Sequence, residues 1–228
     1  MLLQIENLIT ADDAATILSR LRDARWEDGR VTAGYQSAQA KHNAQVAEDD
    51  PIARALGDAV VDRLLANPTF FAAALPLRIY PPLFNRYEDG QGFGMHVDNA
   101  IRYDRRQVPP LAVRTDLSAT LFLSDPEAYD GGELIVEDTY GTHAIKLPAG
   151  HLVLYPGSSL HRVEPVTRGT RNACFFWVQS MVPDAMRRRL LFDMDLSVQE
   201  LTGQGADKDA VLRLTGVYHN LLREWSVT

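Results

Sequence analysis

The sequence predicts a mainly β protein with helical flanks, and three observations carry that prediction. Residues 77–180 break into short runs rich in β-branched and aromatic side chains, punctuated by Gly, Pro and Asp. On either side of this stretch the apolar positions change to helical spacing. The chain has 228 residues, 46% hydrophobic and 23% charged, which is enough for one folded core and unlike a disordered composition.

The elements follow in order. Thr10 is placed to cap a helix over Ala11 to Arg25, with Asp13 as capping-box partner and Ile17 and Leu21 facing a core. Gly29 to Gln45 is polar and mixed, and reads as loop with a short strand. Asp50-Pro51 is an N-cap followed by proline at the first helical position, leading into Ile52, Leu56, Val60 and Leu64. Asn67-Pro68 ends that helix. The β runs are Leu77 to Tyr87, Gly94 to Asp98, Asp116 to Leu123, Glu133 to Glu137, His143 to Leu147, His151 to Tyr155, His161 to Val166 and Asn172 to Ser180. Such a set suits a double-sheet jelly roll or a closed barrel. After Pro183 helical spacing returns, weakly at Met186, Leu190, Phe192 and Met194, then clearly at Val211, Leu214, Val217, Leu221 and Leu222. The expected division is an N-terminal helical flank 1–76, a β core 77–180 and a C-terminal helical extension 181–228.

Charge and composition exclude several classes. A net charge of -7 gives no general attraction to nucleic acid, and Arg187, Arg188 and Arg189 read as a solvated helix face. No apolar stretch approaches a membrane span, and Met1 to Thr10 lacks the pattern of a signal peptide, so a cytoplasmic location is expected. The single cysteine, Cys174, rules out an internal disulfide and a thiolate-only metal site.

His96 and Asp98 stand at i and i+2, so on a strand both side chains leave one face. His161 begins a later strand after Pro156-Gly157-Ser158-Ser159. Two imidazoles and a carboxylate can hold one face of an octahedral ion and leave positions open, the arrangement of non-haem Fe(II) oxygenases. Structural zinc would want a fourth protein ligand. Arg171 opens the apolar run Asn172 to Val178, where an inward guanidinium would be an uncompensated charge unless an anion meets it. A dicarboxylic keto acid, 2-oxoglutarate, could chelate the metal at one end and meet Arg171 at the other. Glu164 is the alternative partner for Arg171. His151 reads as structural or surface; His42, His143 and His219, without suitable partners, read as solvated or capping. No catalytic role follows for Asp116 or Glu133. Gly131-Gly132 reads as a turn requiring positive φ. Asn99 to Leu111, with Arg102, Arg105 and Arg106, is the candidate lid.

The set His96-Val97-Asp98, His161 and Arg171 resembles the Fe(II)- and 2-oxoglutarate-dependent dioxygenases of the prolyl-hydroxylase type. More narrowly, the strings Arg114 to Leu123, Tyr129 to Leu134 and His161 to Arg171 resemble the bacterial PKHD-type hydroxylases along nearly the whole chain. The resemblance implies a double-stranded β-helix core, Fe(II) on His96, Asp98 and His161, and Arg171 on the distal carboxylate of 2-oxoglutarate. It also implies Tyr87 as a contact of that co-substrate and L-ascorbate as reductant. The implied reaction uses dioxygen, converts 2-oxoglutarate to succinate and carbon dioxide, and hydroxylates a C–H bond. Related halogenases lack the carboxylate, so Asp98 favours hydroxylation. The primary substrate is left open between a peptide and a small molecule. The C-terminal helices are left open between core packing, partner recognition and a homo-oligomer interface. Two rivals use a similar pocket: a non-catalytic iron or 2-oxoglutarate sensor, and a cupin-like metal-binding protein.

Overall fold

The computed structural model describes residues 1–32, 34, 37–138 and 141–228. Two antiparallel sheets face each other across a cavity. The larger, of eight strands, runs Leu3–Ile5, Leu152–Pro156, Leu117–Phe122, Arg171–Ser180, Leu83–Tyr87, Ala44–Val46, Trp26–Asp28, with Pro76–Ile79 pairing on the far end of Arg171–Ser180. The smaller, of five strands, runs Gly141–Ile145, Leu134–Asp138, His161–Val163, Gly92–His96, Lys41–His42. Apart from Leu134–Asp138 and Gly141–Ile145, neighbours within each sheet are not consecutive strands, which is the jelly-roll arrangement expected of the β core.

Alternation along the strand Arg171–Ser180 explains how this core forms. Cys174, Phe176 and Val178 turn outward into an apolar layer with Leu56, Val60, Leu64 and Phe70 of the N-terminal helices. Arg171, Phe175 and Trp177 turn inward and line the cavity. The helices are α1 (Ala11–Leu21), α2 (Ser37–Ala40), α3 (Pro51–Ala66), α4 (Pro68–Ala74), α5 (Ala185–Gly203) and α6 (Lys208–Trp225). The capping box at Thr10 and Asp13 is present, as is the Asp50 cap, whose carboxylate accepts from the backbone N–H groups of Ile52 and Ala53.

The structure corrects several boundaries, each for a local reason. Pro81 and Pro82 cannot donate to a ladder, so 77–87 divides into Pro76–Ile79 and Leu83–Tyr87. Pro165 likewise divides 161–166, and the second half pairs as Val166–Gly169 with Tyr129–Gly131. Asn67 ends α3 but also caps α4, accepting from Phe70 N–H, so the proline there starts a second helix. The stretch 29–45 holds a 3-10 turn at Gly29–Thr32, α2 and strands Lys41–His42 and Ala44–Val46, while positions 33, 35 and 36 lie outside the described residues. The candidate lid is a β-hairpin, Ile101–Asp104 paired with Leu111–Arg114. Gly131 and Gly132 have φ of +70° and +69°, as their turn requires.

Of the three consecutive arginines, Arg187 and Arg189 are exposed as expected and Arg188 is not. Arg188 is buried and its Nη1 donates to the backbone oxygens of Val182 and Pro183, both at 2.7 Å, satisfying carbonyls where the chain leaves the sheet. Arg187 lies 5.3 Å over the Trp225 ring, and Arg189 pairs with Asp193. α5 packs on the core through Leu191 and Phe192. Among the described residues, no helix is long and apolar enough to cross a membrane.

Candidate metal and co-substrate site

His96 and His161 are direct cross-strand partners in the smaller sheet, which brings their rings to 4.1 Å between centroids. The strand carrying His96 ends there, so Asp98 stands just beyond it rather than within a continuous run. Its carboxylate nonetheless turns into the same space: Asp98 Oδ2 is 3.8 Å from His161 Nε2 and accepts a 2.6 Å hydrogen bond from Ser118 Oγ. Ligand atoms of His96, Asp98 and His161 all fall within 4.8 Å of one another.

The surroundings prepare both imidazoles as donors to a metal. His96 Nδ1 is 2.8 Å from the Gly94 carbonyl and His161 Nδ1 is 3.0 Å from the Ser159 carbonyl. A carbonyl accepts only, so each Nδ1 carries the proton and each Nε2 keeps its lone pair. Burial, then the neighbouring His161, pushes the pKa of His96 down to about 4, so it is neutral at physiological pH. Phe93 stacks on His96 at 3.5 Å and Tyr155 meets His161 edge-on at 5.2 Å, fixing the ring planes.

Arg171 lies in the same cavity, 2% exposed, and among the described residues its Nε has no hydrogen-bond partner. No carboxylate pairs with it among the described residues; Glu164 is bound instead to Arg162 at 2.7 Å. The rings of Tyr87 and Phe122 lie 5.4 and 5.3 Å from the guanidinium. Arg171 and Tyr87 are register partners, and burial pushes the Tyr87 phenol up to about 12, so it stays protonated and able to donate. A Cβ on Gly132 would come within 3.0 Å of Arg171 Cδ, so this glycine leaves room for the arginine's path. A buried guanidinium with an unpartnered donor, sharing one cavity with a facial set of two imidazoles and a carboxylate, fits a metal-chelated dicarboxylate.

The other candidates separate from this cluster. His151 is not among the converging ligands. His143, expected to lack a partner, lies 3.0 Å from Asp138 on an exposed hairpin. Asp116 has a structural role: it accepts from Arg114 at 2.6 Å and from Ser180 N–H at 2.9 Å. Of the three hairpin arginines only Arg102 lines the cavity; Arg106 is tied to Asp58 and Asp104. Ser118 and Lys41 also line the cavity, and sequence reasoning missed both. The bond from Ser118 to Asp98 depends on strand placement that no local pattern announces, and Lys41 sits in the stretch read as loop.

Residues 82–179 match the 2OG-Fe(II) oxygenase superfamily and residues 184–226 the PKHD-type hydroxylase C-terminal domain. A PKHD-type hydroxylase of Xanthomonas axonopodis pv. citri is 60% identical over 226 residues, covering 99% of each chain. One of Bordetella pertussis is 58% identical over 228 residues, again covering 99% of each. Among solved structures, a Pseudomonas putida prolyl-4-hydroxylase shares the fold, with a TM-score of 0.53 and 19% identity over 78% of this chain and 92% of that one.

Proposed function

The chain belongs to the PKHD-type hydroxylases and is an Fe(II)- and 2-oxoglutarate-dependent dioxygenase, and from that premise we propose the assignment of its site. His96, Asp98 and His161 hold Fe(II), Arg171 takes the distal carboxylate of 2-oxoglutarate, and Tyr87 contacts the same co-substrate. The observation that carries this reading is the placement of the converging triad and the uncompensated Arg171 in one cavity.

When bound, Fe(II) with 2-oxoglutarate supplies dioxygen activation, giving succinate, carbon dioxide and a hydroxylated substrate. The protein's part is orientation and exclusion of water. Ser118 aims the Asp98 carboxylate through its donated hydrogen bond. The Gly94 and Ser159 carbonyls fix the imidazole tautomers. The planar Arg171 fork matches a carboxylate through two parallel bonds, and the Tyr87 and Phe122 rings beside it keep that ion pair dry. L-ascorbate is the reductant that maintains the ferrous state in assays.

The test is oxygen-dependent succinate formation from 2-oxoglutarate. Asp98→Ala is expected to abolish it, because the metal loses its only carboxylate; normal turnover in that variant contradicts the assignment.

A further inference from the structure

The inner face of strand Arg171–Ser180 carries a second cationic region. Phe175 and Trp177 follow Arg171 about 13 and 20 Å along the strand. Lys41 Nζ lies 5.6 Å from the Phe175 ring and 5.5 Å from the Phe93 ring, and Phe93 is the ring stacked on His96. The Arg102 guanidinium lies 4.3 Å over Trp177 and 4.9 Å over Tyr80. Lys41 and Arg102 both line the cavity of the triad.

Lys41 is 5% exposed and no carboxylate pairs with it among the described residues. Its ammonium donates to two neutral oxygens, Thr32 Oγ1 at 3.0 Å and Gln45 Oε1 at 3.1 Å. Among the described residues its third N–H donor has no partner. Among the described residues the Nε of Arg102 is a further donor without a partner. Arg102 is only partly neutralised, by Glu48 at 3.5 Å. A buried ammonium whose direct partners are neutral oxygens, with Asp98, Asp28 and Glu48 acting on it only from a distance, is costly unless an anion completes it.

We infer that this end of the cavity is the primary-substrate site and that Lys41, supported by Arg102, receives a carboxylate of the substrate. The inference rests on the assignment of Arg171 to 2-oxoglutarate, which leaves Lys41 as the cavity cation without an ion-pair partner among the described residues, with Arg102, paired to Glu48, beside it. The walls supplied by Phe93, Phe175 and Trp177 suit an apolar or aromatic body attached to that carboxylate. Burial pushes Lys41 down to about 8, so most of it is charged at neutral pH, and a carboxylate beside it would hold the proton more firmly. The arrangement thus offers cations for each of two anionic substrates in the one cavity that the triad lines.

The test is anaerobic calorimetry on the protein loaded with Fe(II) and 2-oxoglutarate. The probes are monocarboxylates from acetate to phenylacetate, each paired with its primary amide. The carboxylates are expected to bind about 10- to 100-fold more tightly than their amides, with phenylacetate the best. Lys41→Met is expected to remove that preference, and Arg102→Gln to reduce it. Equal affinity of acid and amide in the wild type, binding of neither, or a preference intact in Lys41→Met overturns the inference. The visible charge-transfer band of the chelated keto acid, recorded on the same sample, separates this outcome from failure of the co-substrate assignment, in which the band itself is missing.

Discussion

Ser118 and Arg171 show how single side chains act in this site. Ser118→Ala removes the 2.6 Å bond that orients Asp98 while leaving all three ligands, so Fe(II) affinity is expected to fall about 10- to 100-fold. Anaerobic Fe(II) titration measures this, and wild-type affinity in the variant would contradict the orienting role. Arg171→Ala is expected to weaken 2-oxoglutarate binding by about 2–5 kcal/mol, because the distal carboxylate would be buried without its partner. Arg171→Lys should recover part of that loss, since a point charge lacks the two-pronged geometry. The apparent Kd for 2-oxoglutarate in the two variants checks both statements, and a lysine variant no better than alanine would contradict the charge argument. The convergence of His96, Asp98 and His161 and the presence of Arg171 in their cavity were legible because each belongs to a short pattern: His-x-Asp, a histidine after a Gly-Ser turn, and an arginine opening an apolar strand. Ser118 was not, because its partner lies twenty residues away and meets it only through the fold. Lys41 resembled any polar loop residue until the strand register set it against Phe93.

At the scale of elements, capping chemistry was readable and interruptions within strands were not. The Asp50 cap is a case where the sign of a pH effect can be worked out. Burial alone would raise this carboxyl, but backbone N–H donors from Arg25, Ala53 and Ile52 outweigh it and hold the folded pKa below the ordinary value. Its stabilisation is therefore fully present above the unfolded value near 3.9 and is lost as pH falls through the lower folded value. Asp50→Ala is expected to cost about 1 kcal/mol at neutral pH in chemical denaturation. The gap between variant and wild type should shrink below about pH 4, and a gap that widens on acidification would contradict the account. The hairpin Ile101–Arg114 was missed because its charged middle and paired prolines look like a loop, while its pairing residues Ile101, Tyr103, Leu111 and Val113 are widely spaced in kind. The single run 77–87 was overextended for the opposite reason: apolar content continued through Tyr80-Pro81-Pro82, where proline leaves no donor for the ladder.

At the scale of the whole molecule, the C-terminal helices and the β core share buried contacts. Leu191 is 1% exposed and clusters with Leu75 and Val182, which lie where α4 and the last core strand end. Leu191→Ala is expected to cost about 2–5 kcal/mol and to shift one common unfolding transition, followed by tryptophan fluorescence and far-ultraviolet circular dichroism. Two separate transitions would contradict this coupling. The helical periodicity of this region was visible in the sequence, but its attachment was not, because Arg188 reads as solvent-facing until the carbonyls of Val182 and Pro183 are placed around it. Anaerobic titration of the metal-free protein with Fe(II) and then 2-oxoglutarate tests whether one cavity joins a metal triad to a carboxylate-binding arginine. The visible charge-transfer band of a chelated keto acid is expected, weakened in Arg171→Ala and lost in His161→Ala. Bound iron with no band in the wild type would contradict it.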